Sequence, residues 1–227
     1  MTLSGETVYL PTGTSTYYAT ETLIIKSTTD EQGHEVREYA DKLGKTILKK
    51  VQVNNSPDTY DDTDWALTYY IYDDFDRLRF VLPPEFNTKI SAYTSASNQG
   101  KSDLINDWCF QYQYDERGRM VTKQVPGAEK VQMVYDQWDR LVASQDGNQR
   151  AANKWSFTKY DVLNRPIITG EISSTNDRSE MLDDVNGVST STPRYESPTS
   201  GSTGYSLDKT FPVNAGLGDV NTITYYD

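Results

Sequence analysis

The chain has 227 residues, with 22 Lys and Arg against 33 Asp and Glu and a formal net charge of −11. So acidic a chain repels phosphate backbones, which excludes nucleic acid as an expected partner, and no apolar run approaches the roughly 18 residues of a membrane-spanning helix. The opening MTLSGETVYLP lacks a basic segment followed by an apolar one, so no signal peptide is legible.

Residues 1–27 read as an N-terminal strand or lead-in. TDEQGHEV from Thr29 and ADKLGKTI from Ala40 then repeat Asp-x-x-Gly with a step of 11. They look like degenerate copies of a fuller motif that follows, with Tyr39 one place too far from Asp41. That motif occurs four times, as YDDFDRL from Tyr72, YDERGRM from Tyr114, YDQWDRL from Tyr135 and YDVLNRP from Tyr160. The tyrosines are spaced by 42, 21 and 25 residues. A catalytic motif is normally written once, whereas a unit recurring every 20 to 50 residues marks a repeat array.

Each copy reads as the tip of a β-hairpin. Before the second copy, WCFQYQY alternates Trp108, Phe110, Tyr112 and Tyr114 with Cys109, Gln111 and Gln113, the period of a half-buried strand. Asp115 opens a turn in which its carboxylate can accept backbone N–H groups two residues on. Three residues after the Asp, a type I turn followed by a left-handed residue needs positive φ, which Gly, Asn and Asp tolerate best. The four copies place Asp76, Gly118, Asp139 and Asn164 there.

The long first step holds an insertion at about 83–107, with two prolines and then a short helix capped by Ser102. Asp146-Gly147 predicts another tight turn. Residues 173–227 form a Ser/Thr-rich connection. Within it, Asp177 and Glu180 resemble a capping box for a helix at about 178–186, with Met181, Leu182 and Val185 on one face and Gly187 closing it. The final ITYYD stops on the first two letters of the motif, so we expect a further repeat to begin there, within a longer polypeptide.

The four motifs resemble the YD repeat, or RHS repeat, whose pattern is Tyr-Asp-x-x-Gly-Arg-Leu. LPPE from Leu82, VPGAEKVQMVYD from Val125 and TKYDVLNRPIITGE from Thr158 resemble the RHS-type proteins of Bacteroidetes in particular. The resemblance covers about residues 28–172. It implies a large secreted or cell-surface protein whose hairpins wind as a continuous spiral sheet, in complete members a shell around a C-terminal cargo, often a toxin. This chain carries few repeats and no recognisable autoproteolytic core motif, so no cargo chemistry is assigned to it.

Residues that could carry chemistry are few. His34 is the only histidine and stands beside a turn, where a solvated side chain is expected. It has no accompanying GxSxG or Cys-His signature, and Cys109 has no second cysteine or adjacent histidine to activate it. Zinc-type Cys/His clusters and phosphate-cradling Gly-rich loops are missing from the sequence. Asp58, Asp61, Asp62 and Asp64 crowd one segment, as calcium loops do, but without the central Gly and terminal Glu of an EF-hand. We therefore expect no catalytic, cofactor-binding or metal-binding residues, and no cofactor.

Tyrosine outnumbers phenylalanine 17 to 6, which raises a carbohydrate- or protein-binding surface as the alternative to a scaffold. Exposure of Trp65, Trp108, Trp138 and Trp155 would distinguish the two. The tips carry Phe75, Arg117, Trp138 and Leu163, and their apolar members are expected to pack on the adjacent hairpin. The pairs Asp73–Arg77, Asp115–Arg119, Asp136–Arg140 and Asp161–Arg165 bracket the turns and can bond within or between hairpins. Gly118→Val is expected to destabilise far more than Arg119→Lys, because it violates a backbone requirement rather than trimming a charge pair.

The expected fold is mainly β, an array of antiparallel hairpins in a twisted or spiral sheet, with one or two short helices in insertions. The expected function is a non-catalytic scaffold or shell segment of a secreted or cell-surface protein. Its partners would be the rest of its own polypeptide, a C-terminal cargo included, with glycans or cell-surface proteins as the alternative.

Overall fold

A computed structural model of the chain describes residues 2–4, 7–9, 23–54, 64–89, 92, 95–188 and 194–226. They form two units, Met1–Phe110 and Gln111–Asp227. Within each unit the strands pair antiparallel with their neighbours in sequence, so the mainly β array of hairpins is what the chain builds.

In the first unit β1 (Thr2–Ser4) and β2 (Thr7–Tyr9) pair by themselves. β3 (Ile24–Thr29), β4 (Glu35–Ala40), β5 (Thr46–Gln52), β6 (Trp65–Tyr72) and β7 (Leu78–Leu82) follow as a five-strand meander. Their register is set by an apolar row that crosses every strand: Ile25 opposite Tyr39, Tyr39 opposite Leu48, Leu48 opposite Tyr69, Tyr69 opposite Leu82. A slip of one residue would turn that row to the other face.

The row is buried most deeply where the insertion covers it. Helix α1 (Pro84–Asn87) begins on a proline, whose missing N–H costs nothing in the first turn. It buries Phe86 completely and donates from Asn87 Nδ2 to the Leu67 carbonyl on β6 at 2.7 Å. Helix α2 (Asn98–Trp108) adds Leu104, Ile105 and Trp108 to the same cluster.

Two expectations are corrected here. The cap of α2 is Ser97, whose hydroxyl accepts from Gly100 N at 3.2 Å, and not Ser102, which lies inside the helix. Trp108 ends that helix and Cys109 follows it, so the next strand starts only at Phe110. The alternation of Trp108 with Phe110 imitated a strand, while the helical spacing of Leu104 and Trp108 decided the outcome.

The strands that follow are β8 (Phe110–Tyr114), β9 (Met120–Gln124), β10 (Val131–Tyr135), β11 (Leu141–Gln145), β12 (Lys154–Tyr160), β13 (Pro166–Ser173) and β14 (Val220–Ile223), paired in that order. Between β11 and β12 the chain forms helix α3 (Gly147–Ala151) rather than the tight turn expected at Asp146-Gly147. Asp146 accepts from Gln149 N at 2.8 Å, and the Gln149 side chain accepts from Asp146 N at 3.0 Å. This reciprocal cap is stronger than the turn tendency of Asp-Gly.

Helix α4 (Arg178–Val188) has the expected capping box. Asp177 accepts from Ser179 and Glu180 N–H groups, and Glu180 accepts from Asp177 N at 2.9 Å. Gly187 does not close it, for the helix continues to Val188 and Gly187 has no positive φ. Met181 and Val185 of α4 pack with Val134, Trp155 and Phe211, and a second cluster gathers Phe157, Ile167 and Ile168 under Tyr205, Leu207 and Ala215. Gly170 is required for space, because a Cβ there would lie 2.0 Å from the Asp219 carbonyl oxygen and 2.6 Å from Phe157 Cζ.

Candidate functional site

The most repeated chemistry in the molecule is at the hairpin turns. Six turns, opened by Asp30, Asp41, Asp73, Asp115, Asp136 and Asp161, have one geometry. In each, the N–H three residues after the Asp donates to the Asp carbonyl, and the Asp N–H donates to the carbonyl four residues on, at 2.9 to 3.2 Å. The residue three places on has positive φ: Gly33 at 88°, Gly44 at 82°, Asp76 at 62°, Gly118 at 78°, Asp139 at 64° and Asn164 at 60°. The left-handed requirement therefore holds at all four full motifs and at both degenerate copies.

The Asp side chain is the anchor of each turn. Its Oδ1 accepts from the N–H groups two and four residues on, in Asp136 from Trp138 at 2.9 Å and from Arg140 at 3.0 Å. Its Oδ2 faces the basic residue four places on, at 2.9 Å for Arg77 Nε, 2.8 Å for Arg119, 2.7 Å for Arg140 and 2.6 Å for Arg165. Lys45 and His34 take that position in the degenerate turns, each 3.3 Å from its Asp. His34 thus stands where the motif places its cation.

Burial pushes the Asp73, Asp115 and Asp161 carboxyls up, but the backbone and guanidinium donors together outweigh it and hold all three below the usual range. In Asp30 and Asp41 the largest influence is the backbone N–H four residues on, again lowering.

The tyrosine and the arginine of the motif act between hairpins. The Tyr72 hydroxyl donates to the Thr46 carbonyl at 3.0 Å, Tyr135 to Met120 at 2.9 Å, Tyr160 to Leu141 at 2.7 Å and Tyr226 to Pro166 at 2.9 Å. Every acceptor is the first residue of the return strand of the preceding hairpin. Over each ring lies that hairpin's cation: Lys45 5.7 Å from the Tyr72 centroid, Arg119 4.9 Å from Tyr135, Arg140 4.9 Å from Tyr160 and Arg165 4.2 Å from Tyr226. Burial pushes the Tyr72, Tyr135 and Tyr160 hydroxyls up from their ordinary value, so they remain donors.

The left-handed residue completes the linkage. Lys45 donates to Asp76, Arg119 Nη1 to Asp139 Oδ1 at 2.9 Å, and Arg140 Nη1 to Asn164 Oδ1 at 3.2 Å. An Asp or Asn at positive φ is more strained than Gly, and here its side chain gives the preceding hairpin's cation an acceptor. Sequence reading explained these residues by backbone tolerance alone and missed the second role.

The sites weighed from sequence are placed as follows. Burial pushes the Cys109 thiol up to about 12, the reverse of an activated nucleophile. Asp58, Asp61 and Asp62 lie outside the described residues. Among the described residues no group of three or more His, Cys, Asp or Glu could hold a metal ion.

Trp65 and Trp155 are buried, Trp108 and Trp138 half-buried. Arg37 covers Trp65 at 4.5 Å, Lys89 covers Trp108 at 5.0 Å and Arg140 covers Trp138 at 5.1 Å. The apolar tips do not all pack as expected: Phe75 is 78% and Leu163 66% exposed. At the same position of its turn Arg117, with a longer and charged side chain, does reach the next hairpin, donating to Asp139 at 2.7 Å.

One buried pair was not found from sequence. Lys159 Nζ donates to Glu196 Oε1 at 2.9 Å and to the carbonyls of Thr210 and Pro212, with both charged side chains wholly buried. Glu196 also accepts from Ser206 Oγ, Thr210 N and Thr210 Oγ1. Burial pushes the Glu196 carboxyl up, but Lys159 and these hydroxyls outweigh it and keep the carboxylate ionised. The available signal was the inward register Trp155, Phe157, Lys159, which puts an ammonium where only a paired one is tolerated.

Neither a comparison with protein-family models nor one with curated proteins finds a match. Solved structures with a partial likeness include the crystal structure of TcdB2-TccC3-TEV, at 17% identity over 63% of this chain with a TM-score of 0.45. A Photorhabdus luminescens Tc holotoxin pore matches at 16% identity over 66%, with a TM-score of 0.46. The match spans 6% of the length of each of those chains.

Proposed function

We propose that the chain is a non-catalytic scaffold segment of a larger RHS-type polypeptide that is secreted or displayed at a cell surface and takes part in toxin delivery or encapsulation. The observation that supports this reading is the use of the repeated residues. The Asp fixes its own turn, the Arg binds that Asp and stacks on the next tyrosine, and the tyrosine bonds back to the preceding hairpin. Such couplings extend an array by nearest-neighbour contacts and commit the motif's Tyr, Asp and Arg to holding it together. The motif and flanking text that resemble the RHS proteins of Bacteroidetes support the same class.

Limited proteolysis of the parent polypeptide tests it. With Asp136→Ala disrupting the hairpins, segments outside this chain should lose protection against protease. Unchanged protection while the hairpins are open would remove the scaffold role.

The exposed Leu43, Phe75, Val162 and Leu163 favour a second reading, in which the tips contact other parts of the same polypeptide rather than glycans. Glycan platforms need open aromatic faces, and Trp65, Trp108 and Trp138 are each covered by a cation.

A further inference from the structure

In the second unit a cleft of about 530 Å³ opens between helix α4, the end of β13 and the loop that leads to β14. Its size is that of a small-molecule site, which typically runs from about 300 to 1,000 Å³. Ile172, Met181 and Phe211 give it an apolar lining, the last two nearly inaccessible to solvent. Asp184 and Asp219 stand among its walls, with Ser173 and Asn214 as further polar groups, and among the described residues no Lys, Arg or His lines it. Each carboxylate has one oxygen held by a neighbouring donor at the exposed surface. Asp184 Oδ2 accepts from Asn176 Nδ2 at 2.7 Å and Asp219 Oδ2 from Gly216 N at 2.9 Å, which fixes both side chains.

We propose that this cleft binds an alkylammonium group, a primary amine carried on a short hydrocarbon. The apolar lining takes the hydrocarbon by removing it from water. The two carboxylates, uncompensated by any cation among the described lining residues, select a positive head and reject a negative one. Nothing in this assignment depends on the scaffold reading, since the cleft uses no residue of the repeated motif.

Titration of the whole chain with n-hexylammonium, followed by methyl NMR of Ile172, Met181 and Val188, is the test. Saturable shifts at these methyls are expected, with 1-hexanol binding more weakly and hexanoate giving no saturation. Asp184→Asn keeps an acceptor for Asn176 and should weaken hexylammonium by about threefold while leaving 1-hexanol unchanged. No saturable shift at the cleft, equal binding of amine and alcohol, or an Asp184→Asn variant that binds the amine as before would each overturn the assignment.

Discussion

Asp136→Ala perturbs a turn anchor whose arginine partner is buried along with it. Asp136 and Arg140 are 6% and 8% exposed, and the guanidinium holds Asp136 Oδ2 through Nε and Nη2, both at 2.7 Å. The substitution removes that pair and leaves the N–H groups of Trp138 and Arg140 without their carboxylate acceptor. Breaking one side of a buried ion pair costs about 3–5 kcal/mol, because the remaining charge is stranded. The same change at Asp30, which is about half exposed and faces His34, forfeits only a solvent-screened contact and turn bonds that water can replace. Urea unfolding followed by hydrogen exchange of residues 131–173 for Asp136→Ala, and of residues 24–52 for Asp30→Ala, separates the two losses. Equal losses would refute the argument that burial of the anchor sets its weight.

Tyr160→Phe keeps the ring beneath Arg140 but deletes the 2.7 Å bond to the Leu141 carbonyl, so a loss of about 1–2 kcal/mol is expected in denaturant unfolding. Gly170→Ala cannot be accommodated against the Asp219 carbonyl, and exchange of the β14 amides should rise well before that of β12. The acid limb follows from the lowered carboxyls: Asp73, Asp115 and Asp161 lie below their unfolded value of about 3.9, so their contribution is complete above that pH and lost as pH falls through the folded values. A melting temperature that falls steeply below about pH 4 and is flat from 5 to 7 is expected, and a flat profile to pH 2 would contradict the turn chemistry.

Much of the fold was legible because a turn with a left-handed residue restricts sequence sharply. Asp76, Gly118, Asp139 and Asn164 are interchangeable only under one backbone demand, and that demand also identified the degenerate turns at Gly33 and Gly44. What was illegible depended on contacts between segments remote in sequence. The Tyr160 hydroxyl reaches a carbonyl nineteen residues back and Lys159 a carboxylate thirty-seven residues ahead, and neither distance is encoded by local pattern.

The expected contrast between Gly118→Val and Arg119→Lys changes for the same reason. A Cβ at Gly118 meets nothing within 4 Å, so the cost there is conformational alone. Arg119, by contrast, serves Asp115, the Asp136 carbonyl, Asp139 and the Tyr135 ring together. Lysine cannot reproduce that planar fork, so Arg119→Lys should cost more than a trimmed charge pair, while the φ of 78° keeps the β-branched Gly118→Val the costlier change.

Coupling between neighbouring hairpins is the claim on which the rest depends, and a double-mutant cycle on Arg119 and Tyr135 measures it most directly. With Arg119→Gln, Tyr135→Leu and the double variant, an interaction energy of at least about 0.5 kcal/mol is expected for the cation over the ring. Strictly additive losses would show that the hairpins stand side by side without being joined by the motif.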